Sequence, residues 1–213
     1  MLLRNRPPGI QNRAEQLREG LNHLDPAAVA VLRWLNANKV DYVVVGAVAR
    51  AIRGDRESHG PVAIVPAPYG RNWERLCAAL VAGHAGLRTE VGEPGQTQTT
   101  QAPVKLTAEK LARGHRWLLR CAGHDLDIEA AGSHREDARR GSEDIGPRYQ
   151  ELLYESGRIE LAEGLSVEVA SPEDLELFSH VRRTGAAPEF RISRRSPAEP
   201  VEPAEPAEHP ETA

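Results

Sequence analysis

The chain has 213 residues and a formal net charge of −4, and it is 40% hydrophobic but only 4% aromatic. That length suits one domain with at most a small appendage, whose core must be built from Val, Leu, Ile and Ala. The mildly acidic balance gives no global reason to expect nucleic-acid binding, although local basic patches stay open.

Two cysteines, Cys77 and Cys121, are too few for a secreted disulfide framework and point to a reducing cytoplasm. The N-terminus shows no signal-peptide core, and no apolar run approaches the roughly 18 residues of a membrane span, so a soluble protein with no membrane partner is expected. Residues 1–12 are polar and contain proline, and they are expected to be flexible. Ala14, Leu17, Leu21 and Leu24 recur at helical spacing and predict a helix. Asp25-Pro26 then opens another, with Asp as cap and Pro as first helical residue, running through Val29, Val31, Leu32 and Leu35.

The run VDYVVVG, Val40 to Gly46, predicts a buried strand closed by glycine, followed by a helix from Ala47 to Arg53. After a turn over Gly54 to Gly60, Pro61 to Val65 predicts a second buried strand. Asn72 is expected to cap a helix through Trp73, Leu76 and Leu80. The polar segment Thr89 to Pro103 reads as a surface loop. His115 to Cys121 and Asp125 to Ala131 predict two strands joined around Ala122-Gly123-His124, with Asp125, Asp127 and Glu129 on one face. That face is either a solvated strand surface or the remnant of a metal site.

Ile145 to Tyr154 predicts a short helix, and Arg158 to Leu161 with Leu165 to Val169 a hairpin turning at Ala162-Glu163-Gly164. Ser171-Pro172-Glu173-Asp174 carries the cap, proline and acid of a helix start. Arg182, Arg183, Arg191, Arg194 and Arg195 form a basic stretch that is either a solvated helix end or a contact for phosphates. From Ser196 a Pro/Ala/Glu repeat follows, expected to be disordered and extended, and able to reach a basic protein partner.

Residues 25 to about 183 run helix, strand, glycine turn, helix, strand, helix, then a hairpin whose second strand bears carboxylates. This order resembles the nucleotidyltransferase-like family related to the minimal nucleotidyltransferases and the bacterial abortive-infection toxin enzymes. In that family a strand ends in a Gly-Gly or Gly-Ser turn, an Ala follows two residues later, and a His-Gly pair closes the helix. Here Gly46 and Ala49 match, Ala47 replaces the second glycine, and Arg53-Gly54 stands for His-Gly. The family's next strand carries Asp-x-Asp, and counting from Gly46 puts those positions at Pro61 and Ala63. Asn72, Arg75 and Leu76 resemble the helix that follows, and VEVASPEDLEL, Val167 to Leu177, resembles the closing strand and helix. Asp127 matches the third carboxylate, with Asp125 as the alternative two residues away.

The resemblance implies an α+β fold, a mixed β-sheet flanked by helices, in a domain over residues 13–190. It implies nucleotide binding at Gly46, Ala47 and Arg53, vestigial catalytic positions at Asp127 and Asp125, a metal ligand at Asp127, and Mg2+ as the cofactor of any remaining activity. Nucleotidyl transfer in the family uses two divalent ions held by bridging carboxylates. With Pro61 and Ala63 in place, the expected function is a non-catalytic binding or regulatory module that takes a nucleotide. Two alternatives stay open: an active enzyme with a relocated site using Asp127, Asp125 and Glu57, and a purely partner-binding subunit.

Overall fold

The computed structural model describes residues 7–12, 15–91, 98–113, 116–129 and 149–184. The expectations for residues 1–6, for Arg191, Arg194 and Arg195, and for the repeat from Ser196 lie outside the described residues, as do the side chains of Arg182 and Arg183. The described residues build an α+β fold, one eight-stranded mixed sheet with six helices, which is the class expected from the sequence.

The helices are α1 (Pro26–Ala37), α2 (Gly46–Ile52), α3 (Gly70–Ala82), α4 (Ala108–Arg113), α5 (Tyr149–Glu155) and α6 (Pro172–Thr184). The strands are β1 (Tyr42–Val45), β2 (Val62–Pro66), β3 (Gly86–Val91), β4 (Gln98–Ala102), β5 (Arg116–Cys121), β6 (His124–Glu129), β7 (Gly157–Ala162) and β8 (Leu165–Val169). Their order across the sheet is β4-β3-β5-β6-β2-β1-β8-β7. The pairs β2–β6 and β1–β8 are parallel and the other neighbours antiparallel.

Every residue of β1 and β2 is buried, because both strands lie mid-sheet with neighbours on each side. Fully burying a Val- or Ile-sized side chain contributes about 1.5–3 kcal/mol, so these two strands anchor the core. The Asp25 side chain caps α1 as expected, accepting from the Ala27 N–H at 2.8 Å. The helix is pinned to the sheet by the Tyr42 hydroxyl, which donates to the Asn36 side chain at 2.8 Å. Tyr42 therefore faces α1, and by strand alternation so do Val44 and its in-register neighbours Ile64 and Ile128. Val45, Ala63 and Asp127 point to the other face.

Three expectations are corrected. Ala14 lies outside the described residues, and over residues 15–24 the helix expected through Leu17, Leu21 and Leu24 is not formed: Leu17 bridges Ala162 at the edge of β7, and the Arg18 N–H donates to the Leu161 carbonyl at 2.8 Å. Gly20, at φ +87°, turns the chain where a helix would have to continue, so the leucines reach the core from turns instead. Leu24 is buried and Leu17 and Leu21 pack against the core, so the apolar pattern marks burial of a non-helical segment.

Asn72 is not the cap of α3, which begins at Gly70 with Tyr69 before it. The Asn72 side chain is wholly buried and accepts from the Asp41 N–H at 2.8 Å while donating to the carbonyls of Asp41 (2.8 Å) and Ala67 (3.0 Å). It staples the start of α3 to the chain entering β1 and leaving β2.

The expected loop from Thr89 to Pro103 instead carries the second half of β3 and all of β4, with Thr89 opposite Thr100 and their hydroxyls 2.7 Å apart. At the sheet's edge the ladder is made by backbone and hydroxyl groups, so the apolar alternation that would signal a strand is missing. A sixth helix, α4, was also not anticipated; its buried Leu111 and the Thr107 hydroxyl, which accepts from the Lys110 N–H at 3.2 Å, are its local cues.

The remaining elements follow their signals. Ala122 and Gly123, at φ +48° and +86°, make a two-residue turn between Cys121 and His124. The β7–β8 hairpin turns at Glu163-Gly164. Ser171 caps α6 by accepting from the Asp174 N–H at 3.1 Å. Helix α5 falls on the described part of the Ile145 to Tyr154 expectation. Among the described residues, no helix is long and apolar enough to cross a membrane.

Candidate functional site

Strand β1 ends at Val45, and Gly46, at φ +70°, turns the chain directly into α2. That backbone conformation is open to glycine and strained for other residues. Val45 is the antiparallel partner of Ala63, and Ala63 is the parallel partner of Asp127. Adjacent strands lie about 4.8 Å apart, so the glycine turn, the Ala63 methyl and the Asp127 carboxylate lie in one line across about 10 Å of a single sheet face. Pro61, two residues before Ala63, belongs to the same face just outside the ladder.

The strand directions collect further groups here. The C-terminal end of β1 and the N-terminal ends of β2 and β6 coincide, bringing Gly46, Gly60-Pro61 and Gly123-His124-Asp125 to one end of the sheet. A Cβ on Gly60 would lie 3.0 Å from the Cβ of Ala47, so the Ala47 methyl closes onto the chain entering β2. A cleft of about 400 Å³ opens at this end against α1, lined by Ala28 and Val31 of that helix with Gly60, Val62, His124 and Asp125; Gly46, Ala47, Ala63 and Asp127 are not part of its wall.

Arg53 is turned elsewhere. Its Nε donates to the Ala170 carbonyl at 3.0 Å and its Nη2 to the Val169 carbonyl at 2.9 Å, fastening the end of α2 to the end of β8. Gly157 leaves room for this guanidinium, since a Cβ there would lie 3.1 Å from Nη2. In the loop after α2, Asp55 Oδ1 accepts from the Glu57 N–H at 3.1 Å, and Asp55, Glu57 and His59 are exposed.

Asp127 is 2% exposed, and its carboxylate meets two arginines. Oδ2 accepts from Arg116 Nη2 at 3.0 Å. Oδ1 lies 2.9 Å from Arg88 Nη1, a charge contact that is not a hydrogen bond. Arg116 also reaches Glu129, Nε to Oε1 at 3.0 Å, and Arg120 Nη1 reaches Asp125 Oδ1 at 2.8 Å. The acids are on one face of β6 as the alternation predicts, but that face is covered by guanidinium groups from β3 and β5.

These arginines escaped the sequence reading, although two were within reach of it. Once the turn is two residues long, counting outward pairs Cys121 with His124, Arg120 with Asp125 and Arg116 with Glu129. Arg88 had no such signal, because no strand was expected over Gly86–Val91 and the presumed loop began at the next residue, Thr89.

A pair of divalent ions needs bridging oxygen ligands. Pro61 and Ala63 offer no side-chain oxygen, Asp127 Oδ2 is hydrogen-bonded to Arg116, and Oδ1 faces the Arg88 guanidinium at 2.9 Å. Among the described residues no group of three His, Cys, Asp or Glu is placed to hold a metal ion. The residues present do not fit a two-ion centre.

No protein-family model matches the sequence, and no curated protein matches it. Among solved structures the chain is similar to an antigenic nucleotidyltransferase-like protein from Paracoccidioides brasiliensis, at 17% identity over 81% of this chain and 72% of that one, with a TM-score of 0.36. That superposition is too loose to assign any residue of this chain.

Proposed function

We propose that the chain is a non-catalytic protein of the nucleotidyltransferase fold, a binding or regulatory module that takes a nucleotide at the Gly46 end of its sheet. The observation that carries this reading is the register Val45–Ala63–Asp127. It puts a methyl group between the glycine turn and the acid, at a position where the family resemblance expects a ligand carboxylate. The scaffold that would present the chemistry is kept while its donors are gone. The cleft of about 400 Å³ at the same end of the sheet, between α1 and the starts of β2 and β6, offers room for a ligand beside the glycine turn. Gly46 and Ala47 would offer backbone N–H groups to phosphates at the glycine turn itself, and Arg53 would hold α2 in place against β8. The unpaired Cys77 and Cys121 suit a cytoplasmic protein.

Incubation with radiolabelled NTPs and Mg2+ or Mn2+ is expected to give no transfer; incorporation that disappears in Asp127→Ala would overturn the reading. Calorimetry with ATP, CTP, GTP and UTP is expected to show binding of at least one at sub-millimolar concentration. Silence toward all four would replace the nucleotide with a protein partner, and pull-downs with and without residues 196–213 would then ask whether the acidic repeat recruits it.

A further inference from the structure

Six charged side chains on the acid-bearing face form one alternating chain. Glu129 pairs with Arg116 at 3.0 Å, Arg116 with Asp127 at 3.0 Å, and Asp127 with Arg88 at 2.9 Å. Arg88 continues to Asp125 at 3.9 Å, and Asp125 to Arg120 at 2.8 Å. Three acids from β6 meet two arginines from β5 and one from β3, for a net charge of zero. Asp127 sits in the middle with its side chain 3% exposed.

A carboxylate this deeply buried loses its hydration and needs opposite charge in contact to offset that cost. A guanidinium supplies that charge permanently and with directional donors. Leu87 pairs with Leu119 and Leu118 with Asp127, so Arg88, one residue beyond Leu87, spans two inter-strand spacings, about 10 Å, to reach the acid. Arg116 comes from the middle strand of the three. The two guanidiniums take one carboxylate oxygen each.

We infer that Arg88 and Arg116 are resident cations for Asp127: they fill from within the chain the place that the family resemblance gives to a divalent ion. The acids of β6 thereby lock β3, β5 and β6 together, and Asp127 holds no metal. This rests on the register reading of Asp127 given above, and is independent of whether the cleft takes a nucleotide.

The test uses the full chain. Manganese titration followed by electron paramagnetic resonance is expected to show no Mn2+ retained through Asp127, and Mg2+ or Mn2+ is expected to leave the melting temperature where a monovalent salt of equal ionic strength leaves it. Retention of Mn2+ that is lost in Asp127→Asn would overturn the inference. The double variant Arg88→Gln/Arg116→Gln should melt on the order of 10 °C lower, since it strands a buried charge. Adding Asp127→Asn to it should recover most of that loss, because a neutral amide needs no cation. A double variant as stable as the parent, or a triple variant that folds no better than the double, would also overturn it. Mn2+ held at Asp127 without nucleotide transfer would sink this inference alone, whereas transfer without Mn2+ at Asp127 would sink only the non-catalytic reading.

Discussion

Single side chains decide how the ends of this sheet are tied. Asn72 bonds three backbone groups at the helix–strand junction, the N–H and C=O of Asp41 and the C=O of Ala67, the Asp41 carbonyl also accepting from the Ala67 N–H at 2.9 Å. Asn72→Ala should therefore cost roughly 2–3 kcal/mol, visible as a lower urea midpoint at unchanged slope, because partly buried polar groups lose their partners. Asn72→Asp should be no rescue, since a carboxylate cannot donate to the two carbonyls. Arg53 makes a similar tie between α2 and β8. Lysine there keeps the charge but not the fork, so Arg53→Lys should destabilise measurably in the same assay.

At the level of elements, α1 and the β5–β6 hairpin show how local chemistry and burial combine. The Asp25 cap closes the first turn of α1, and Asp25→Ala should cost about 1 kcal/mol in the unfolding free energy. In the hairpin, Cys121 is buried and its thiol lies 3.3 Å from the Gly83 carbonyl. Burial pushes that thiol up to about 11 from its ordinary 9.0. The folded chain then keeps a proton that the unfolded chain gives up, so stability is fully present below about pH 9 and is lost as pH rises through about 11. The buried Tyr42 hydroxyl, also pushed upward by burial, acts in the same direction at still higher pH. Denaturant midpoints measured from pH 8 upward should fall first above about pH 9, and Cys121→Ala should flatten that first decline.

The molecule as a whole is organised around one sheet, so helices distant in sequence share one hydrophobic core. Trp34 in α1 and Trp73 in α3 are buried in that core, and Trp117 in β5 packs against it. Tryptophan fluorescence and far-UV circular dichroism should consequently report a single coincident unfolding transition; a fluorescence change that precedes the loss of secondary structure would contradict the shared core.

Much of this architecture was legible from the chain. The β-branched run before Gly46, the Asp25-Pro26 opening, the turn around Ala122-Gly123-His124 and the Ser171 cap each state a local conformation that the backbone can adopt without outside help, although the structure shortens that turn to Ala122-Gly123. The acidic alternation of β6 was legible in the same way. What resisted were features whose partner lies far along the chain. Leu17 and Leu21 look helical until Gly20 and the edge of β7 claim the segment, and the polar residues of β4 look like a loop because that strand, at the sheet's edge, carries no apolar alternation.

For the candidate site, the residue types were evident and their meaning was not. Sequence by itself determined that positions 61 and 63 carry no carboxylate and that Asp127 stands alone with Asp125 and Glu129 as neighbours. Only the tertiary structure decided that Ala63 lies between the Gly46 turn and Asp127, and that Arg88 and Arg116 meet the carboxylate. The physical reason is that a charge's environment is set by strand register and burial, which bring together side chains from β3, β5 and β6 that no local spacing connects.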